Sequence, residues 1–228
     1  YEAIENDIEI DKVFLQKNNS YLDNIKSKIH KKNIQVSFVP IEKLNKLTKN
    51  NHQGIVATIS PISTLDIDGL EGKLKNTKSL LILVLDGITD TKNFGAIIRS
   101  AECFDVDLII IPKTGSSPIN GETIKSSSGA IFNVPICKVN HIKDAIFLLK
   151  ENEINLIGTS DKGFSSLYEH KFNSRTAIII GSEGQGVNKS VLKLCDQVVN
   201  IVMQGKISSL NVSVATGIFL SEFRRQLN

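Results

Sequence analysis

The 228-residue chain has only three cysteines, Cys103, Cys137 and Cys195, odd in number and scattered. That usage points to a reducing, cytoplasmic compartment, with each thiol expected as a buried small hydrophobe. No cluster with metal-ligand spacing is present, so no metal is expected. No apolar run reaches the roughly 18 residues of a membrane span, and no membrane partner is expected. Methionine is absent from position 1, which is Tyr1, so a trimmed sequence is expected and targeting is left unread.

Charge of one sign is also scarce overall, the net charge being +3. Its placement is uneven. Residues 26 to 49 carry seven lysines, Lys28, Lys31 and Lys32 among them, against the single acid Glu42. Such a run reads either as a solvated face or as a patch for phosphates. It lies in a front segment, 1–60, whose pattern is strand, helix, strand, helix, strand: "KVFLQ", "YLDNIKSKIHKK", "IQVSFV", "IEKLNKLT" and "GIVATIS". Residues 61–79, with Pro, Gly, Ser and mixed charge, read as a linker with a helical turn near 68–75.

From residue 80 onward the texture changes. "SLLILVLDG", "VDLIIIP", "INLIGTS", "TAIIIGSEG" and "QVVNIVMQG" are short continuous aliphatic runs. Helical patterns lie between them: "NFGAIIRSAECF", "TIKSSSGAIF", "IKDAIFLLKEN", "KSVLKLC" and finally 209–226. Strands apolar on both faces that alternate with helices predict an α/β domain with a parallel sheet over 80–228. Ligands of such sheets sit beyond the carboxyl ends of the strands. Three strand ends there carry polar groups.

In "LDGITDTKNFGAIIRSA", Asn93 stands where it could cap the helix carrying Arg99, and Arg99 is expected to face the same strand ends. In "IIIGSEGQGVNKS" the glycine spacing is GxxGxG, which fails the dinucleotide fingerprint GxGxxG. Glu183 in that turn also suits a pyrophosphate poorly, because a helix N-terminus favours anions. It fits a neutral or cationic ligand, an RNA hydroxyl, or simply a first-turn acid. In "MQGKISSLNVSVATG", Gly205, Lys206, Ser208, Ser209 and Asn211 separate a strand from a helix. Ser208 or Ser209 can cap that helix, which leaves Asn211 unexplained. The helix itself is apolar almost all round and should be buried on more than one side.

These three motifs, in this order, resemble the SPOUT-class RNA ribose 2′-O-methyltransferases of the SpoU/TrmH type, most of all the bacterial 23S ribosomal RNA guanosine enzymes. The likeness runs through 80–228. The front segment ending "NHQGIVATIS" resembles the small ribosomal-protein-like substrate domain of that subgroup. The resemblance implies a C-terminal trefoil knot, a homodimer, and S-adenosylmethionine as the methyl donor to ribosomal RNA. Carried over by motif, the catalytic set is Asn93, Arg99, Glu183, Ser209 and Asn211. The cofactor set is Gly181, Ile201 and Leu210, with Thr159 and Met203 beside them. Lys28, Lys31 and Lys32 are the candidate RNA contacts. A transfer-RNA ribose methyltransferase and a catalytically silent RNA-binding relative remain the alternatives.

Overall fold

The computed structural model describes residues 2–5, 8–75, 77–163, 165–207 and 209–227. The chain divides into two compact units, Tyr1–Ile62 and Ser63–Asn228.

The front unit comprises α1 (Glu2–Glu5), β1 (Ile10–Gln16), α2 (Asp23–Lys31), β2 (Val36–Val39), α3 (Ile41–Leu47) and β3 (Ile55–Ile59). Its sheet has the order β2-β1-β3, with β1 parallel to β2 and antiparallel to β3. Val13 and Leu15 point from β1 into a small core with Ile25 and Ile29, one turn apart on α2. Every expected element of this unit is present.

The larger unit runs α4 (Ile67–Leu74), β4 (Leu80–Asp86), α5 (Thr91–Cys103), β5 (Leu108–Pro112), α6 (Gly121–Ser126), β6 (Ile136–Val139), α7 (Ile142–Glu151), β7 (Asn155–Thr159), β8 (Ser165–Ser166), β9 (Arg175–Gly181), α8 (Lys189–Leu192), β10 (Gln197–Asn200) and α9 (Val212–Leu227). The seven strands form one sheet in the order β6-β5-β4-β9-β7-β10-β8, and among the described residues every pairing of these strands is parallel. β4 and β9 are central, and each buries six of its seven residues, which is why "LLILVLD" and "RTAIIIG" show no alternation.

Residues 65–74 are not a linker. Leu65 N–H donates to Ile136 O and Leu65 O accepts from Lys138 N–H, both at 2.8 Å, so the segment pairs with β6. Asp66 caps α4 through Gly69 N–H at 2.9 Å. Leu70 and Leu74 then enter the main core with Ile82, Ile146 and Leu149. Two leucines four residues apart carry this helix, and the intervening charge and glycine disguised them. The expected helix over "TIKSSSGAIF" is broken after Ser126, because Ser128 and Gly129 adopt φ of 51° and 82°. A 3-10 turn, Ala130–Phe132, follows.

Cys137 is buried and Cys195 half-buried, and burial pushes both thiols up to about 11. Cys103 departs from expectation and is exposed at the end of α5. No described helix is long and apolar enough to cross a membrane.

Candidate active site at the carboxyl edge of the sheet

Because β4, β9, β7 and β10 are parallel neighbours, their carboxyl ends open on one edge. Register places Asp86 of β4 opposite Gly181 of β9, and Thr159 of β7 opposite Val199 of β10. The three polar motifs leave the sheet there.

Gly87 turns the chain after β4 with φ of +84°, and α5 begins four residues later. Its cap is Asp90, whose carboxylate accepts Asn93 N–H at 2.7 Å. Asn93 is therefore inside the first turn rather than at the cap, and its carboxamide is left for other work. The signal for this lay in the sequence, an Asp three residues before Asn93.

After β9 the chain makes a tight loop in which Ser182 bridges Gly186 and Gly184 and Gly186 have φ of 86° and 69°. Asp86 Oδ2 accepts Asn188 N–H at 2.8 Å and ties the loop to β4. Helix α8 starts only at Lys189, so Glu183 is not a first-turn acid. Gly181 is essential to this packing. A Cβ there would stand 1.9 Å from Gly186 C and 2.0 Å from Val187 N.

Helix α9 starts at Val212, three residues later than expected, and Asn211 is its cap: Asn211 Oδ1 accepts both Ser213 N–H, at 3.0 Å, and the Ser213 hydroxyl, at 2.5 Å. Ser209 does not cap it, and Ser208 lies outside the described residues. With its oxygen so occupied, the Asn211 amide directs Nδ2 at Asn93 Oδ1 (3.0 Å) and at Glu183 Oε1 (2.9 Å). Asn93 Nδ2 completes the triangle by donating to Glu183 Oε1 at 3.0 Å. Three motifs separated by up to 118 residues thus meet in one hydrogen-bonded cluster. Glu183 Oε1 accepts twice, while Oε2 has no partner among the described residues and Glu183 is exposed, which leaves that oxygen available as a hydrogen-bond acceptor. The roles of Ser213, Asp86 and Asp90 were not anticipated from sequence.

Two members of the expected set are not brought in. Arg99 is exposed and makes no hydrogen bond or ion pair among the described residues. Six residues along a helix is about 600°, so it points roughly 120° away from Asn93 and about 9 Å further along α5. It does not face the strand ends with the others, in the single chain. Ser209 is exposed and likewise unengaged.

Of the expected cofactor residues, Gly181, Thr159 and Ile201 end or follow the three adjacent strands β9, β7 and β10, and Leu210 is half-buried just before α9. Thr159 donates its hydroxyl hydrogen to Ile179 O at 2.9 Å, leaving only oxygen lone pairs to offer. Met203 is 37% exposed beside Val202 at 50% and Ile207 at 75%. Backbone polar groups at strand ends with an apolar loop beside them suit an amphipathic, nucleoside-like ligand. The loop after β7 also passes hard against β10: a Cβ on Gly163 would lie 2.7 Å from Val199 C.

In the front unit, Lys28 and Lys31 lie on the last turn of α2 and Lys32 is its C-cap. The patch is less free than the sequence implied, since Lys28 pairs with Glu5 and Lys26 with Asp23 at 2.6 Å. Lys28 in turn holds the Glu5 carboxyl below its ordinary range. Both acids lie outside the lysine-rich window.

A parallel α/β sheet with a preorganised amide–carboxylate cluster at its carboxyl edge is the build of an enzyme rather than of a structural domain. Comparison with known proteins makes this specific. Residues 80–221 match the model of the SpoU rRNA methylase family, and residues 1–65 match that of the RNA 2′-O ribose methyltransferase substrate-binding domain. The chain belongs to the SpoU rRNA methylase family. It is 38% identical over 175 residues to the 23S rRNA (guanosine-2′-O-)-methyltransferase RlmB of Yersinia pestis, covering 77% of this chain and 71% of that one. The RlmB of Pasteurella multocida is 35% identical over 207 residues, 90% of this chain and 84% of its own. In fold, the chain matches the SpoU methyltransferase AviRb of Streptomyces viridochromogenes, solved with AdoMet, with a TM-score of 0.83 at 22% identity, over 99% of this chain and 86% of that one.

Proposed function

We propose that this protein methylates a ribose 2′-hydroxyl of RNA, a guanosine of 23S ribosomal RNA, using S-adenosylmethionine. The observation that carries the reading is the Asn93–Glu183–Asn211 cluster, assembled from all three motifs at the sheet edge where such folds bind ligands. The choice of acceptor follows the names of its RlmB relatives. Bound at the edge, the cofactor would supply an electrophilic methyl group. Gly181, Thr159, Ile201, Met203 and Leu210 would hold it, and Glu183 Oε2 would fix a hydroxyl of the acceptor. Arg99 would stabilise the negative charge that develops on the 2′-oxygen as its proton passes to solvent water. A guanidinium holds its proton too firmly to serve readily as a base.

A homodimer belongs to this reading. Val202, Met203 and Ile207 are exposed beside the edge, Val214 is exposed on α9, and Arg99 stands away from the cluster in its own chain. A second copy would cover the first four and bring an Arg99 against a cluster. The close crossing of Gly163 over β10 supports a threaded, knotted C-terminal path. The front unit is the RNA-selecting domain, Lys31 and its neighbours contributing phosphate contacts, and the protein works in the cytoplasm.

The test is incubation with labelled S-adenosylmethionine and unmodified 23S ribosomal RNA or transfer RNA, followed by mapping of ribose methylation. Label at one guanosine of the 23S RNA is the expected result. Label in transfer RNA, or none, would overturn the assignment.

A further inference from the structure

The "HQG" of the front unit, His52-Gln53-Gly54, plays no part in the cluster, yet its geometry is unusual. Gln53 and Gly54 are consecutive residues in the left-handed region, φ 49° and 83°. Gly54 N–H donates to His52 Nδ1 at 3.0 Å, which leaves the ring hydrogen on Nε2 to bond Asn45 Oδ1 at 2.9 Å. The turn is thereby fastened to α3. It is equally close to the turn after β1: a Cβ on Gly54 would lie 2.8 Å from Asn19 Nδ2 and 3.0 Å from Gln16 Oε1. Glutamine is a poor choice for a left-handed position unless its side chain is needed there.

These elements line an open cleft of about 760 Å³ formed by ten residues, five of them carboxamides (Gln16, Asn45, Asn50, Asn51 and Gln53), with Lys49 and no acid. That size is within the range of about 300–1,000 Å³ usual for small-molecule sites. Uncharged amides carry both donors and acceptors, as base edges do. A phosphate site would be rich in cations instead. The N–H groups of the Asn45 amide have no partner among the described residues, and Gln53 is exposed. On the adjoining turn Tyr21 is 94% exposed, the most exposed large apolar side chain described, with its backbone fastened by its N–H to Asn19 Oδ1 at 3.1 Å. Exposed aromatic rings are the usual stacking platforms for unpaired bases.

We propose that this cleft reads an unpaired nucleobase of the RNA substrate, with Gln53 and Asn45 bonding the base edge and Tyr21 stacking on it or its neighbour. The inference rests on the reading of the front unit as an RNA-binding domain, and it assigns sequence discrimination to the turn and phosphate affinity to the lysines of α2.

The test uses the full chain and an unmodified 23S ribosomal RNA transcript. Gln53→Gly keeps the left-handed backbone free of strain, and Tyr21→Ala changes a fully exposed ring, so both variants should fold. Each is expected to weaken RNA binding about tenfold. The slope of affinity against salt should stay that of the parent, because no phosphate contact is lost. Lys31→Ala should flatten that slope. Two variants that bind the transcript as the parent does, or a slope that falls with Gln53→Gly, would overturn the cleft assignment. A parent that binds but transfers no methyl group instead removes the enzymatic reading, and the binding comparison still decides the cleft.

Discussion

Ser213 places two donors, its N–H and its hydroxyl, on the single oxygen Asn211 Oδ1. That arrangement fixes which way the Asn211 amide faces, and only this orientation turns Nδ2 toward Glu183 and Asn93. Ser213→Ala keeps the backbone donor and removes the stronger one. It should lower kcat about tenfold while the melting temperature hardly moves. Asn211→Asp should be worse, since a second carboxylate would face Glu183 with no N–H to offer. Single-turnover methyl transfer, with calorimetric cofactor binding alongside, checks both; wild-type turnover in Asn211→Asp would remove the cluster from the mechanism.

Arg99→Ala should lose methyl transfer and still bind S-adenosylmethionine, because Arg99 lies outside the strand-end edge. Arg99→Lys keeps the positive charge but loses the planar fork, and should recover only part of the rate. Full activity in Arg99→Ala would exclude both an electrostatic and a base role.

Gly181 ends β9 with no room for a side chain, since even a Cβ there collides with the backbone of Gly186 and Val187. Gly181→Ala should therefore displace the loop that carries Glu183, costing about 1–3 kcal/mol of stability and most of the activity. Urea unfolding and turnover measured on the same sample would show this; an active Gly181→Ala of parental stability contradicts it.

Burying the exposed apolar residues of the sheet edge and α9 is worth roughly 25 cal/mol per Å². The protein should sediment only as a dimer at low micromolar concentration. Val214→Asp should shift it toward an inactive monomer, whereas an active monomer would refute the dimer.

Glu222 on α9 is buried, and Arg225, at 2.7 Å through both oxygens, and Gln226 at 2.8 Å hold its carboxyl down to about 2 from an ordinary value of 4.5. A depressed carboxyl stabilises the fold fully above its unfolded value and loses that contribution as pH falls toward the folded one. The excess stability of the parent over Glu222→Gln should therefore be constant near neutrality and shrink between about pH 4.5 and 2. Denaturation midpoints at pH 7 and pH 3 read this directly, and a pH-independent difference would refute it.

The buried strands were legible because "LLILVLD" and "AIIIG" admit no other environment. Glu183, Asn93 and Asn211 were legible through motif likeness, but their roles were not. Capping is decided by where a helix starts, and a shift of three residues moved the cap of α9 from serine to Asn211. Helix α4 was legible only as a helical turn near 68–75 within a linker, because two leucines give too little periodicity to outweigh Gly69, Gly72 and the surrounding charges. How much of the lysine run is free was not legible for a related reason: Glu5 and Asp23 neutralise part of it from outside the lysine-rich stretch.

The triangle draws its last corner from Asn211, near the end of the chain, and α9 behind it packs on α5. During synthesis the sheet through β9 can form with Asn93 and Glu183 already in place, yet the cluster stays open until Asn211 and the helix behind it have emerged and packed. Cleavage ahead of Asn211 would open the triangle while most of the sheet survived.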